Sequence, residues 1–259
     1  MNDANFYKII KDICVEKEIK VEVLSFGWIL KLSKGTKTTY ITDNFWDINT
    51  EASSYIAGDK YATYEVLKSA KIPVIEHKMV IREKVDKNDI KKYFAMHENK
   101  LVVKSNQGFE GKQVYLCETW EEVEKRINEL LVEHRTISIC PYYNIKTEYR
   151  TIYIDGECAI TYAKIKSANS WKHNLSDGAT AKIVEDEILL EKLHKMVRQI
   201  AQVINLKFCS IDIIQANTDK FYVIEVNSGV CMKNFMKKEV GMSIAKKIYQ
   251  KAIDIQMGE

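Results

Sequence analysis

The chain has only two prolines in 259 residues, Pro73 and Pro141. Each is placed where an element should stop. Proline disfavours the α region in the residue before it, so Ile72-Pro73 ends a helix and opens an extended segment, and Pro141 closes a strand. No apolar run approaches the roughly 18 residues of a membrane helix, which argues against a membrane partner. The opening Met-Asn-Asp-Ala-Asn lacks the basic and apolar regions of a signal peptide, so a cytoplasmic location is expected. The six cysteines, Cys14, Cys117, Cys140, Cys158, Cys209 and Cys231, show no paired spacing. They read as reduced core thiols rather than a zinc site or a disulfide framework. The net charge of +3 and the lack of a basic tract argue against nucleic acid. Lys237-Lys238 and Lys246-Lys247 read as solvated helix faces. There are no repeats, no low-complexity stretches and no apparent Ser-His-Asp or Cys-His set.

What is present is an ordinary soluble composition, 46% apolar and 29% charged, enough for one domain or two small ones. Residues 5–18 place Phe6, Ile9, Ile10 and Ile13 at helical spacing. Residues 21–24, 28–32 and 38–41 read as short strands, followed by a looser stretch over 43–57. Asp59 is an N-cap for a helix through Ala70. Thr119 with Glu122 forms a capping box for a helix with Val123, Ile127, Leu130 and Leu131 on its core face. Two strands, 148–154 and 157–164, meet at Asp155-Gly156, a strong hairpin signal. Residues 171–178 form an irregular polar loop, and His173 in it is expected to be exposed and not catalytic. Strongly amphipathic residues 188–204 and a final segment over 243–255 read as helices.

Three stretches carry chemistry. Residues 208–228 are two β-branched runs around Asn217-Thr218-Asp219-Lys220, and therefore a β-hairpin. A turn symmetric about Thr218 and Asp219 sets Asp212 opposite Glu225, and Asn227 follows Glu225 on the same face. Two carboxylates so close repel unless a proton or cation lies between them, and oxygen-only donors suit Mg²⁺; a surface hairpin facing water is the alternative. Lys60 sits at the first helical position, where a cation opposes the macrodipole unless an anion is bound nearby. Lys104 ends an apolar strand before Ser105-Asn106-Gln107-Gly108-Phe109-Glu110-Gly111-Lys112, and Val114 begins the returning strand. With no helix after it, this loop is neither a P-loop nor a dinucleotide fingerprint. Its glycines still let backbone N–H groups approach an anion, although a plain hairpin turn accounts for it equally well.

The order Asp59-Lys60, Lys104 with its glycine loop, Glu148-Tyr149-Arg150, Asn174, Asp212, then Glu225-Val226-Asn227 resembles the ATP-grasp superfamily of carboxylate–amine ligases. Within it, the similarity is to the ATP-grasp portions of cyanophycin synthetase and bifunctional glutathione synthetase, and to the enzymes that append glutamate to ribosomal and other proteins. The resemblance covers about residues 20–255. It implies an α+β fold of two lobes with antiparallel sheets gripping MgATP, after a short N-terminal α/β segment. The expected divisions are 1–57, 58–138 with the phosphate lid, and 139–256 with the metal site. Lys60 and Lys104 would contact phosphates or the adenine edge, and Asn106 to Lys112, with Gly108 and Gly111, would form a mobile lid. Ser138 to Tyr142 would be the hinge whose backbone reads adenine, bringing Cys140 and Tyr142 into the cofactor-binding set, together with Lys164. Arg150 and Asn174 would be catalytic, neutralising the transferred phosphoryl group or holding a carboxylate. Asp212, Glu225 and Asn227 would bind two Mg²⁺ ions, with Mn²⁺ able to substitute.

The implied reaction joins a small-molecule or peptide carboxylate to an amine through an acyl phosphate, releasing ADP and phosphate. A small-molecule kinase and a non-catalytic nucleotide-binding module are the alternatives. The chain departs from the family pattern in three places. Gln113 stands where glycine is usual, Cys140 replaces the common hinge Gln or Glu, and Ser228-Gly229-Val230-Cys231 replaces a Pro-Gly pair. The first segment is also short, which leaves room for a second subunit of a homodimer to complete the pocket.

Overall fold

The stripe of Phe6, Ile9, Ile10 and Ile13 folds as helix α1 (Ala4–Glu16), and all four side chains are buried. The computed structural model describes residues 4–108, 111–168, 170–237 and 239–259. Phe109 and Glu110 of the expected lid, and Lys238, lie outside the described residues. After α1 come strands β1 (Lys20–Leu24), β2 (Ile29–Lys34), β3 (Lys37–Thr42) and β4 (Phe45–Trp46), an antiparallel meander in that order. The stretch expected to be loose over 43–57 is ordered as β4 and helix α2 (Glu51–Gly58), whose N-cap Thr50 accepts from the Ser53 N–H. Helix α3 (Lys60–Ser69) begins as expected, with the Asp59 carboxylate accepting from the Ala62 N–H at 2.8 Å.

The next lobe holds β5 (Lys78–Ile81), α4 (Lys87–Met96), β6 (Leu101–Ser105), β7 (Val114–Cys117), α5 (Trp120–Glu133) and β8 (Thr136–Pro141), with sheet order β5-β8-β6-β7. α5 starts at the expected capping box, in which Thr119 and Glu122 satisfy each other's backbone donors. One face of this sheet, with Leu101, Val103, Ile137 and Ile139, packs on Ile90 and Phe94 of α4 and on the apolar stripe of α5. The other face carries Val102, Lys104, Ser138 and Cys140, because side chains alternate along each strand and Val102 pairs with Cys140 as Lys104 pairs with Ser138.

The last sheet, ordered β11-β10-β9-β12-β13, is built from β9 (Ile145–Ile154), β10 (Glu157–Ile165), β11 (Thr180–Ile183), β12 (Phe208–Ala216) and β13 (Phe221–Asn227). Asp155 and Gly156 both take positive φ, 43° and 90°, in the β9–β10 turn, which is what a two-residue hairpin requires. Helix α6 (Glu187–Ile204) covers one face together with α2 and α3, through Leu193, Val197, Ile200, Ala57 and Leu67. The opposite face is divided. Its apolar end, with Ile152, Ile154 and Phe208, is covered by α1, the meander and helix α7 (Glu239–Met257), all in one core. Its other end is polar and faces the lobe of β5–β8.

The lobes are joined by the segment after Pro73. Val74 bridges Val223 in parallel, with N–H···O bonds of 3.0 Å from Ile75 to Val223 and from Val223 to Pro73. Ile75, Val102, Cys140 and Ile214 pack between the lobes.

Candidate functional site

Along β9 the even residues run Glu148, Arg150, Ile152, Ile154; along β10 Lys164, Tyr162, Ile160; along β12 Asp212, Ser210, Phe208. Register puts these on one face, with Arg150 between Tyr162 and Asp212, and Glu148 beside Lys164. Each strand therefore passes from a covered apolar end to an uncovered charged end. The charged ends form the floor of a cavity of about 770 Å³, and Lys104 and Ser105 of the other sheet line its opposite wall. That volume falls within the usual span of small-molecule sites, roughly 300–1,000 Å³.

Asp212 stands opposite Glu225, as the sequence predicts, but by a different route. The turn is centred one half-step earlier than expected, pairing Gln215 with Phe221 and Ile213 with Val223. An irregularity between Asp212 and Ile213, with Ile224 as the extra residue of β13, then shifts the register and restores the Asp212–Glu225 and Ser210–Asn227 pairs.

The two carboxylates do require cations beside them, and the protein supplies its own. Arg150 grips both oxygens of Asp212, with Nε donating to Oδ1 at 2.7 Å, and Lys164 Nζ lies 3.0 Å from the same Oδ1. Lys164 also donates to Glu148. Lys60 Nζ is 3.1 Å from Glu225 Oε1. Burial works against the Asp212 charge, but Arg150 and Lys164 outweigh it and hold this carboxyl at about 2. Burial and the nearby Arg150 push Lys164 down, yet Asp212 and Glu148 prevail and keep its pKa above the ordinary lysine value. Arg150 is raised in the same way, burial opposing and Asp212 winning. These groups stay ionised across the neutral range.

Lys104 is different. It is only 5% exposed, and among the described residues it has no ion-pair partner. A buried ammonium of this kind calls for an anion. Behind it His77 is buried, with Nδ1 2.6 Å from Ser138 Oγ. Burial, then Lys104 and Lys60, push its pKa well below the usual histidine value, so it stays neutral.

The glycine loop is tied down at several points. Lys60 Nζ donates to the Gly108 carbonyl at 3.0 Å and Lys172 Nζ to the Gly111 carbonyl at 3.2 Å. Gly111 has φ 67°, and a Cβ there would lie 1.7 Å from Asn174 Nδ2. Only glycine lets the loop lie this close to the 171–178 loop. Gly108, Gly111, Lys112 and Asn174 all line the cavity. Asn106 does not. It is 1% exposed, donates to Asp59 at 2.6 Å and accepts from the Tyr61 N–H, so it fixes the loop to the start of α3.

Cys140 and Tyr142 also lie off the cavity lining. Cys140 is buried between the lobes, and the Tyr142 N–H donates to the Lys100 carbonyl at 3.2 Å. His173 corrects an expectation. It is buried, not exposed, and its Nδ1 is 2.9 Å from the Lys164 carbonyl, so it fastens the 171–178 loop to β10. Sequence reasoning also passed over Lys172, two residues before Asn174, and gave no role to Glu148, one alternation from Arg150. The cavity wall formed by Trp28, Asp43, Phe45 and Tyr55 was missed entirely. That wall comes from the N-terminal segment of the same chain.

Asp212, Glu225 and Asn227 all line the cavity, and among the described residues the buried Nδ2 of Asn227 has no hydrogen-bond partner. An amide with an unsatisfied buried end suits a polar ligand. The donor set of two carboxylates and an amide oxygen fits a hard cation such as Mg²⁺, with Asp212 shared with Arg150 and Lys164. Among the described residues no three His, Cys, Asp or Glu side chains gather as a metal cluster, so any such site depends on Asn227 or on ligand oxygens.

Residues 57–252 match the RimK-like ATP-grasp domain. The chain is 26% identical over 205 residues to the uncharacterized protein MG011 of Mycoplasma genitalium, covering 77% of this chain and 64% of that protein. It is 24% identical over 199 residues to the glutamate–LysW ligase ArgX of Sulfolobus acidocaldarius, covering 73% and 66%. The chain thus spans just under two thirds of the length of these curated relatives. Among solved structures, D-alanine–D-alanine ligase from Bacillus anthracis superposes with a TM-score of 0.64 at 17% identity, covering 81% of this chain and 69% of the other.

Proposed function

The chain belongs to the RimK-like ATP-grasp family, and from that premise we propose that it is an ATP-dependent carboxylate–amine ligase. The observation that carries this reading is Lys104, buried and without an anionic partner among the described residues, in the wall of a cavity whose opposite floor is Arg150, Lys164, Asp212 and Glu225. In the proposed reaction a substrate carboxylate oxygen attacks the γ-phosphorus of ATP, and the bond to the bridging oxygen breaks as ADP leaves. An amine nitrogen then attacks the acyl carbon, expelling phosphate and releasing a proton. Lys60, Lys104 and the backbone of the Gly108–Gly111 loop would hold the phosphates, and Lys172 would keep that loop against Asn174. Arg150, fixed in place by Asp212, would face the negative charge that develops on the transferred group. Glu225, Asn227 and Asp212 would hold Mg²⁺, which when bound neutralises phosphate oxygens.

The acceptors and donors would be small molecules or peptides. Among the described residues no helix is long and apolar enough to cross a membrane, and we place the reaction in the cytoplasm.

The decisive measurement uses hydroxylamine as the nucleophile, with MgATP and pooled amino acids and short peptides as carboxylates. A hydroxamate should accumulate together with ADP. A stable phosphorylated product without hydroxamate would make the protein a kinase, ATP left intact would make it a binding module, and AMP with pyrophosphate would reject the acyl phosphate route.

A further inference from the structure

One carboxylate of the cavity is left alone by its basic residues. Glu148, Asp212 and Glu225 each take part in an ion pair. Asp43 lines the same cavity, yet among the described residues its side chain has neither an ion pair nor a hydrogen bond. Its position is built rather than incidental. Asp43 and Asn44 form the two-residue turn between β3 and β4, Thr42 pairing with Phe45, and Asp43 takes a left-handed φ of 54°. The Asn44 carbonyl accepts from the Val230 N–H at 3.1 Å. The Phe45 ring lies against Gly229, where a Cβ would come within 3.1 Å of its edge. Both contacts pin the turn to the backbone just beyond Asn227.

Two aromatic residues share the cavity lining with this carboxylate. The Trp28 carbonyl accepts from the Asp43 N–H at 2.9 Å, and the Trp28 and Phe45 side chains remain 55% and 39% exposed on the cavity rim. The cavity is therefore polarised. Phosphates and a carboxylate are drawn to Lys104, the buried ammonium that has no ion-pair partner among the described residues. Asp43 adds a negative charge that no ion pair compensates among the described residues, on a lining that also carries the exposed Trp28 and Phe45, and carboxylate and aromatic surface both attract cations at short range.

We propose that Asp43, flanked by Trp28 and Phe45, receives the positively charged group with which the amine substrate enters. The inference rests on the ligase reading above and gives the amine a class: a cation carried on an apolar or methylene chain. Amines of ordinary pKa are protonated at neutral pH, so charge distinguishes them from the carboxylate partner at the cavity mouth.

The test needs no turnover and no knowledge of the natural amine. The indole N–H resonance of Trp28, assigned with Trp28→Leu, is followed by NMR during titration with n-butylammonium, butanol or butyrate. The ammonium should shift it saturably and bind at least about tenfold more tightly than either isostere. Asp43→Asn keeps a residue that tolerates positive φ and should lower the ammonium affinity about tenfold, with the other amide resonances unmoved. Equal affinities for butylammonium and butanol, or an unchanged affinity in Asp43→Asn, would overturn the proposal. Hydroxamate trapping separates the two levels. Hydroxamate without ammonium selectivity rejects this subsite alone, whereas selectivity without hydroxamate rejects the ligase reading alone.

Discussion

Replacing Asp212 with asparagine would leave Arg150 and Lys164 beside an uncharged amide in a buried floor, with Glu148 the remaining anion for Lys164. Breaking a buried pair in this way costs about 3–5 kcal/mol, so the urea midpoint of Asp212→Asn should fall well below that of the native protein. A midpoint within error of wild type would show that the pairing contributes nothing to stability. The acid limb has the same origin. The folded carboxyl sits at about 2 against an ordinary 3.8, so its contribution is complete above the ordinary value and is lost as pH falls toward 2. His77 acts in a higher window. Its folded pKa lies below 6.5, so the unfolded chain takes up a proton first as pH falls, and stability drops. His194, lowered by burial and by Arg198, acts in the same direction. Melting temperature should decline between about pH 7.5 and 5.5, and His77→Gln should make that decline shallower; an unchanged slope would assign the effect elsewhere. The sequence made the repulsion between Asp212 and Glu225 legible. It did not show which cations answer it, because Arg150 and Lys164 reach Asp212 only through the strand order β10-β9-β12.

Among the elements, α7 contains an apparent contradiction. Gly241 lies inside the helix, two residues after its start, although alanine there would favour helix by about 0.8–1.0 kcal/mol. A Cβ at this site would lie 2.1 Å from the Phe235 carbonyl oxygen. That oxygen is backbone and cannot rotate away, and overpacking costs about 1–3 kcal/mol. Gly241→Ala should therefore lower the melting temperature, and a rise would mean that propensity outweighs the contact. The final helix was expected to start only near Ser243 and starts at Glu239. Elements with a local signature were readable: α5 from Thr119 and Glu122, the β9–β10 hairpin from Asp155-Gly156, and α6 from its regular apolar stripe. Elements without one were not. α4 has only Ile90, Tyr93 and Phe94 buried among lysines, β4 is two residues long, and β11 is a four-residue edge strand. The Asp212–Glu225 pairing was predicted from a symmetric turn and is reached through an irregular strand, a detail that no residue pattern around Thr218 announces.

At the scale of the whole molecule, the N-terminal segment does not stand apart. Phe6, Ile10, Leu30 and Leu32 share one core with Phe208 of the five-stranded sheet and with Tyr249 and Ile253 of α7. The rings of Trp46 and Tyr249 stack at 5.6 Å. A fragment of residues 58–259 would expose that surface, so it should melt well below the full chain and bind an apolar dye that the full chain does not. A fragment as stable as the full chain would refute the shared core. The segment was read from sequence as chemically silent because its contribution, Trp28, Asp43, Phe45 and Tyr55, consists of ordinary surface-type residues whose relation to the cavity exists only after β3 and β4 have docked on Gly229 and Val230.

That shared core also sets an order of events on the ribosome. α1 and the meander are made well before α7, which covers them. At elongation rates of roughly 5–20 residues per second, the wait is on the order of 10–40 s. Throughout it, the apolar side of the first 57 residues lacks its α7 cover, while the lobe of β5–β8, whose core is its own, can already close. Nascent chains stalled before α7 should then be the ones that recruit chaperones, through their earliest-made segment rather than their newest.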